Sequence, residues 1–445
     1  MAVLFQMSPV RKQQLKLRRK TRSCGVNIGP LGTKLLLAFL FTVSFFHLFA
    51  QKDSLESHVD PKGYANDPGQ AVSIQDEINN TGSKKSQLNG YLKNMVTLNI
   101  TNDSVTLDNL IHNRLNYRWF YNENLTVYLE VRNRLFAGDL VRTVPGYDDA
   151  VDLNNDYLDL SVQGPGGRSW LLQSMIDRAF LEWYTGDWEV RIGRQRINWG
   201  MNLVWNPNDL FNAYSFFDFD YEERPGSDAI RIKRYTGFAS SVEVAGNIHD
   251  DFDEVVFAGM WKINKWGYDL QFLAGKARED ITIGLGWAGN LKDAGFKGEV
   301  TWFYPYTNSD RLSPTLLSSI SIDYSFENSL YLQGSVLFNS VGSDAEFLDG
   351  LSFSNTGQLT ARDLSPFEYS TLLQVNYAFH PLVSGGLSTI YYPGRRNALF
   401  LNPGFTFSVK PNIDLDLIGQ VYFDKLAGEY QALARLIYTR VKWSF

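Results

Sequence analysis

The chain has 445 residues, of which 44% are apolar, 20% are charged and 14% are aromatic, with a single cysteine. This composition excludes a long disordered chain, and one cysteine excludes both a disulfide framework and a cysteine-based zinc site. A mean hydropathy of −0.23 and a formal net charge of −6 exclude a bundle of membrane-spanning helices and a strongly basic chain.

The first fifty residues have the pattern of a secretory signal peptide. Eight lysines and arginines, with no acid among them, precede or begin an apolar run that closes on Phe49 and Ala50. A basic segment followed by an apolar stretch and a small residue is removed on export, and the run is short for a spanning helix. The sequence therefore predicts a signal peptide over 1–50, with an uncleaved anchor as the alternative.

Export would change the charge of the chain and leave a polar segment in front of the fold. Removal of 1–50 takes away Cys24 and eight basic residues, so the exported chain is cysteine-free and more acidic. That acidity argues against nucleic acid as a partner. Residues 51–88 are polar and interrupted by glycine and proline, which predicts a flexible periplasmic lead-in.

From residue 89 to residue 445 the chain keeps one rhythm of short segments in which apolar and polar residues alternate. The runs 125–132, 320–326 and 413–423 show this period of two most clearly, and it is the signature of β-strands with one apolar face. Eight mostly tight connections alternate with nine that are more variable in length. This count predicts about eighteen strands, with sixteen as the alternative, and both termini at the tight-turn end.

Such a rhythm favours an all-β fold, a transmembrane antiparallel β-barrel. Backbone groups in hydrocarbon must all be paired, so only helices or closed sheets can span a membrane. A closed sheet in lipid has apolar residues outside, polar residues inside and short periplasmic turns, which places the N- and C-termini in the periplasm. The alternative is a soluble sandwich or propeller, whose outward faces should be polar.

The last strand carries a second and independent signal. Ile437, Val441, Trp443 and the C-terminal Phe445 lie on one face of a strand. This resembles the C-terminal signature that outer-membrane barrels present to their assembly machinery, so Trp443 and Phe445 are the predicted assembly signal. The predicted location is the outer membrane of a Gram-negative bacterium, and outer-membrane lipid and the barrel-assembly machinery are the predicted partners.

If apolar residues face lipid, then the opposite face of the early strands lines the lumen with charge. Apolar positions change parity between Ile192 and Ile197, and a β-bulge near Gly193 would reconcile them. Arginines in a narrow wet channel favour anions, whereas pairing with neighbouring acids would only balance the interior; the sequence leaves both open. The predicted pore-lining residues are Arg114, Arg118, Arg132, Arg134, Arg178, Glu182, Glu189, Arg191, Arg194, Arg196, Asn198, Arg231 and Lys233.

The connection 200–227 is rich in aromatic rings, which are not expected to lie bare in water. Asn206 before Pro207 predicts the start of a short helix. We expect this connection to fold into the lumen and to narrow it, with rings that either bind solutes or pack against the inner rim. The predicted constriction residues are Trp205, Asn206, Asp209, Phe211 and Tyr214.

The segment 190–212 also carries a family resemblance. Its pattern R-x-G-R-Q-x-x-x-W-G, from Arg191 to Gly200, followed by N-P-x-D-L from Asn206, resembles the porin-like barrels grouped with alginate-export outer-membrane proteins. The resemblance implies an eighteen-stranded barrel that passes a solute through an arginine-lined lumen. It also implies that Arg191, Arg194 and Arg196 are lumen residues.

No pattern of enzyme chemistry stands out. The four histidines after residue 50 lack metal-ligand spacing, and neither a nucleophile elbow nor a phosphate-binding loop occurs. We therefore predict no enzyme activity, no cofactor and no metal. The predicted function is passive passage of small or oligomeric, anionic solutes, including oligosaccharides. The alternative is a non-conducting barrel that binds surface polysaccharide, as capsule-assembly barrels do.

Overall fold

The computed structural model describes residues 85–101, 104–152, 156–164, 166–213, 219–220, 224, 226–306, 312–343, 359–394, 397–426 and 428–445. The predicted signal peptide, most of the predicted lead-in, and Tyr214 lie outside these residues. Within the described ranges, no helix has the length and apolar character needed to cross a membrane.

Antiparallel strands make up most of the described chain. The strands are β1 (Ser86–Thr101), β2 (Val105–Phe120), β3 (Leu125–Gly138), β4 (Ser161–Gln163), β5 (Trp170–Thr185), β6 (Trp188–Gln195), β7 (Ser227–Gly237), β8 (Ser240–Asn247), β9 (Val256–Lys265), β10 (Tyr268–Ala277), β11 (Asp280–Leu291), β12 (Ala294–Pro305), β13 (Thr315–Ser325), β14 (Leu330–Asn339), β15 (Tyr369–His380), β16 (Val383–Tyr392), β17 (Ala398–Lys410), β18 (Ile413–Leu426) and β19 (Glu429–Ser444). The connections, as far as they are described, contain the short helices α1 (Asp139–Thr143) and α2 (Tyr147–Val151) and a 3₁₀ turn (Phe252–Glu254).

The sheet closes on itself. The wall strands pair in chain order, and β1 pairs with β19 from Tyr91↔Ser444 to Thr101↔Ala434. The three-residue β4 pairs with β5 but does not run the height of the wall, so eighteen strands form the barrel. The predicted eighteen-stranded antiparallel barrel is confirmed.

Apolar side chains face outward along this wall and polar side chains face inward. On β13, Ile320 and Ile322 are 45% and 47% exposed, whereas the alternating Ser319 and Ser321 are buried. This order is the reverse of a soluble sheet protein, in which exposed faces are polar. It suits a barrel that is surrounded by hydrocarbon.

The two ends of the barrel differ. The short turns lie at one end, which we call the short-turn end, together with the described start of the chain and its C-terminus. There, Gly90 and Phe445 exchange backbone hydrogen bonds of 2.8 and 2.9 Å. The longer connections lie at the opposite end, the loop end. Tight reversals at the short-turn end use left-handed glycines, such as Gly186 at φ 53°.

Strand β6 covers only the short-turn half of the β5 edge, and β4 pairs with the loop-end half of the same edge. The last β5–β6 pair is Ala179↔Arg194, and β4 begins to pair with the same edge of β5 at Ser161↔Met175. The opposite edge of β5 is occupied by β3 along its length. β6 and β4 therefore form one composite strand beside β5, and the chain after Gln195 is free to leave the wall.

The bulge lies on a different strand from the one predicted. Pairing through Gly193 is continuous with both β5 and β7, although its φ of 119° is unusual. The register shifts instead between β3 and β5, where Glu130 pairs with Arg178 and Val131 with Ile176. Asp177 is the extra residue, and its carboxylate points into the barrel. The prediction of a bulge at Gly193 is therefore wrong.

Candidate functional site in the barrel lumen

The inner face of the barrel has two unlike parts. We call the inner face of β19, β1–β3 and β5–β8 the charged side. We call the inner face of β9–β18 near the loop end the apolar side. Residues 196–213, which leave the wall after β6, lie inside the barrel and are named the lumen segment.

Ion pairs join the first strands of the charged side. The carboxylate of Asp177 contacts the guanidinium groups of Arg114 and Arg132, the latter at 3.2 Å. Glu130 contacts Arg114 and, at 3.4 Å, Arg178. Arg114 and Asp177 are almost fully buried, so each neutralises a charge that would otherwise be costly to bury.

A second chain of ion pairs crosses β5–β8. Arg191 contacts Glu182 and lies 2.9 Å from Glu189. Arg231 lies 3.4 Å from Glu189 and 2.9 Å from Glu243. Cations and carboxylates thus alternate along this part of the wall, as expected if neighbouring acids balance the arginines.

Aromatic rings order the cations nearest the short-turn end. Arg118 lies over the ring of Tyr128, Tyr128 stacks on Phe180 at 4.4 Å, and Arg191 lies over the Phe180 ring. Lys233 lies 4.6 Å from the centre of the Tyr235 ring. These contacts hold flexible cationic side chains in fixed positions on the wall.

Most of the predicted pore-lining residues lie on the inner face. These are Arg114, Arg118, Arg132, Arg134, Arg178, Glu182, Glu189, Arg191, Arg231 and Lys233. Arg134 donates to Gln173 and to the carbonyl of Val151. Arg196 and Asn198 belong to the lumen segment, since β6 ends before them.

Arg194 is placed differently from the prediction. Its guanidinium binds Asp228 at 2.7 Å and the carbonyl of Leu158. Ser227 accepts a hydrogen bond from Asn212 and therefore points into the barrel. Adjacent residues of a strand point to opposite faces, so Asp228 points outward. Because pairing through Gly193 has no extra residue, Arg194 lies on the outward parity, covered by residues near Leu158. Its predicted place in the pore lining is wrong.

One acidic residue at the centre of the charged side was missed by the sequence reasoning. Asp220 lies 2.9 Å from Lys93, 3.1 Å from His112 and 3.2 Å from Arg440. Burial alone would raise its pKa, but the His112 hydrogen bond and the Lys93 charge outweigh burial and lower the pKa of Asp220. No sequence pattern links Asp220 to these strands, because the contact depends on how its connection returns into the barrel.

A buried carboxylate on the far wall anchors the lumen segment. Glu299 of β12 accepts backbone hydrogen bonds from Met201, from Asn202 at 2.7 Å and from Asn208 at 2.9 Å. On the near side, the Trp199 indole donates to Glu243 at 2.6 Å. The segment therefore bridges the lumen between the two sides, held by polar contacts at each end.

The lumen segment and the apolar side share a dry core. Trp205, Leu210 and Phe211 of the segment are buried in the same cluster as Phe303, Leu317, Leu337, Leu372 and Phe400 of the wall. Ala361 and Phe367, from the connection between β14 and β15, join this cluster. The described rings therefore pack against the inner rim.

Around Asn206–Asp209 the chain forms a turn, with Asp209 N bonded to Asn206 O at 3.1 Å, so the predicted helix is wrong.

Of the predicted constriction residues, Trp205, Asn206, Asp209 and Phe211 all lie buried inside the barrel. Asp209 is enclosed, and its carboxylate accepts a hydrogen bond from Trp199 N at 3.4 Å. Burial raises the pKa of Asp209 to about 6, although Arg196 and Arg224 act against that rise. The segment thus places a titratable group at the junction of the two sides.

The sequence contains a signal for the apolar side that strict period-two alternation does not capture. Leu316-Leu317 and Leu372-Leu373 are consecutive apolar pairs near the loop ends of their strands. In each pair one residue faces outward and the other faces the dry core. Consecutive apolar residues in a strand indicate burial on both faces, which is the signal that could have found this core.

No protein-family model and no curated protein matches the chain. Solved structures do match. The chain is similar in structure to OccK5 (OpdH) of Pseudomonas aeruginosa, with a TM-score of 0.51, 8% identity and coverage of 81% of this chain and 98% of that one. It is equally similar to the outer membrane protein OprD of Pseudomonas aeruginosa, with a TM-score of 0.51, 9% identity and coverage of 81% and 94%. These likenesses show a porin-like barrel fold, and they do not support the narrower resemblance to alginate-export proteins.

Proposed function

We propose that this barrel is a porin-like channel of a Gram-negative outer membrane, with both termini in the periplasm, through which small polar solutes pass without energy input. The observation that carries the proposal is a closed eighteen-stranded wall with an apolar outward face and a charged inner face. Such a sheet is stable in hydrocarbon and offers a wet interior. Trp443 and Phe445, in ring contact at the short-turn end, suit the proposed assembly signal.

Solutes would follow the charged side of the lumen. Near the loop end, the apolar side is filled by the lumen segment and by Ala361 and Phe367. Water and ions are not expected to cross a dry packed cluster, because polar groups would lose their hydration there. The path that remains runs along β19, β1–β3 and β5–β8, and it passes Asp220, which lies against β19, β1 and β2.

We further propose a modest preference for anionic solutes, small or oligomeric. Most arginines of the charged side have carboxylate partners, which limits the net positive field. Arg118 and Lys233 are partly exposed and contact aromatic rings, so they add positive charge where the wall meets solvent. A low-dielectric wall strengthens the field of such charges in a narrow channel.

Ion selectivity in planar bilayers tests this proposal. We expect stepwise conductance from the purified protein and a chloride preference in a potassium chloride gradient. Lys233→Gln should lower the chloride-to-potassium permeability ratio on the order of twofold, because one charge leaves the wall. Arg234→Gln is the matched control, since its side chain lies over the outward-facing Trp188 ring and its loss should leave the ratio unchanged.

Two results would contradict parts of the proposal separately. If the inserted wild-type barrel gives no conductance steps, the channel itself is rejected. If it conducts but prefers cations, or responds equally to both substitutions, only the anion preference is rejected.

The packed lumen segment gives one specific reason to keep a second candidate function, a non-conducting barrel that binds surface polysaccharide. Its anchors at Glu299 and Glu243 would then close the lumen. In that case the inserted protein should bind an acidic polysaccharide in solution while giving no conductance steps.

A further inference from the structure

The outward face of β1–β3 and β5 is unlike the rest of the wall. We define the amide face as the outward side chains of Asn94, Asn109, Asn113, Asn133 and Ser174. On β2, Asn109 and Asn113 alternate with the inward residues of the charged side and share their parity with the exposed Leu107 and Leu115. The amides therefore lie on the side of the wall that elsewhere carries apolar residues.

These side chains bond to one another across the strands. Asn94 and Asn109 exchange side-chain hydrogen bonds of 3.2 and 3.4 Å. Asn133 donates to Asn113 at 3.2 Å and accepts from Ser174 at 2.7 Å. Asn113 donates to the carbonyl of Tyr91 at 3.1 Å. A band of polar contacts thus covers four neighbouring strands, with Ile111 between its members.

The band lies at a depth where lipid is a poor solvent for amides. Asn94, Asn113 and Asn133 are seven or eight residues from the short-turn ends of their strands. A strand needs about 9–11 residues to cross the hydrocarbon, so these positions fall within it. An amide has two N–H donors, and the bonds among the described residues use one in each of the four asparagines. The remaining donors would be costly against acyl chains.

The remainder of the wall avoids this cost. Among the described residues, the outward positions of β9–β18 carry no asparagine or glutamine, as the register shows. The loop ends of those strands also present outward rings, such as Phe257, Tyr304 and Tyr391. Outward residues at the loop ends of β1–β3 are aliphatic instead, among them Ile100 and Val105. Aromatic girdles mark contact with the membrane interface, so β1–β3 lack one sign of lipid contact at their loop ends, whereas β5 presents Trp170 there.

We propose that the amide face is an interface with a second copy of this chain. An asparagine side chain both donates and accepts, so a face of asparagines is complementary to itself. A twofold contact brings the same residues of two copies together and would satisfy the remaining donors. The inference rests on the proposed membrane location of the barrel, but it does not need the lumen to conduct.

Mass measurement in a mild detergent and in lipid nanodiscs tests the interface. We expect the wild type to have a multiple of the monomer mass. Asn94→Leu, Asn109→Leu, Asn113→Leu and Asn133→Leu combined should give a monomer that keeps its β-sheet spectrum and its bilayer conductance. A monomeric wild type in nanodiscs would overturn the proposal, as would a variant that stays associated. Loss of conductance in both proteins would count against the channel function and not against the interface.

Cysteine cross-linking in the membrane identifies the surface that is used. In a Cys24→Ser background, Ile111→Cys should form covalent dimers on mild oxidation. Leu285→Cys, an outward position on β11, is the matched control and should not. Equal yields at both positions, or cross-links only to another protein, would contradict a second copy at the amide face.

Discussion

The charged side and the apolar side of the lumen are held together in different ways. On the charged side, buried arginines are fixed by carboxylates on neighbouring strands, as Asp177 fixes Arg114 and Arg132. On the apolar side, Leu317 and Leu372 pack against chain that has entered the barrel from a connection. Ion pairs keep a wall ordered next to water, whereas hydrophobic contacts need a filling segment. The difference is consistent with the proposed passage of solutes along the charged side.

Removal of the Glu299 carboxylate should have the largest effect, because it detaches the segment that separates the two sides. Glu299→Ala leaves the backbone donors of Met201, Asn202 and Asn208 without their acceptor; the last two are buried and the first is partly buried. Each buried donor costs about 1–3 kcal/mol. We expect a loss on the order of 5 kcal/mol in the free energy of unfolding, and larger conductance steps. Urea titration in lipid vesicles and bilayer recording measure the two effects. Gln271→Ala, which loses one hydrogen bond to Trp199 O, is the control and should change both far less.

Asp177→Ala should weaken the ion pairs of the charged side and leave the apolar side unchanged. It leaves Arg114 and Arg132 buried without this carboxylate, and removal of one partner of a buried ion pair costs about 3–5 kcal/mol. Urea titration should show this loss. If Asp177→Ala unfolds at the same urea concentration as the wild type, ion pairing does not order this side.

The apolar side can be tested with two adjacent leucines. Leu372 is 1% exposed and faces the dry core, whereas Leu373 is 56% exposed and faces outward. Leu372→Ala should cost about 2–5 kcal/mol through lost packing and a cavity. Leu373→Ala should cost clearly less, since surrounding lipid or detergent can fill the space. Equal losses in urea titration would mean that the inner cluster is not dry.

Asp209 gives the smallest effect, and one that depends on pH. Its folded-state pKa, about 6, is above its ordinary value of 3.8, so the folded barrel binds the proton more tightly than the unfolded chain. Stability therefore falls as pH rises from about 4 to 6, by roughly 2–3 kcal/mol. We expect Asp209→Asn to lose this pH dependence in thermal melts at pH 4 and pH 8. An identical pH dependence in the variant would contradict the assignment to Asp209.

Period-two alternation was enough to predict the closed barrel, its strand number and the end that holds both termini, because a barrel wall built for lipid needs one apolar face on every strand. The same rule placed Arg114 and Arg231 on the inner face. Arg194 was misplaced by the predicted bulge, which served to keep Ile197 in the same strand, whereas β6 ends at Gln195 and Arg194 keeps the outward parity of Ile192. Alternation also could not find Asp220, or the filling of the lumen, because both depend on contacts between distant connections.

The composite strand made of β4 and β6 has a consequence for how the wall forms. β4 precedes β5 in the chain and occupies the loop-end half of its edge. Because β4 occupies that half, β6 pairs with β5 only as far as Arg194. A three-residue segment therefore occupies the part of the β5 edge at which a later strand stops pairing. At the same point the polypeptide leaves the wall and enters the lumen.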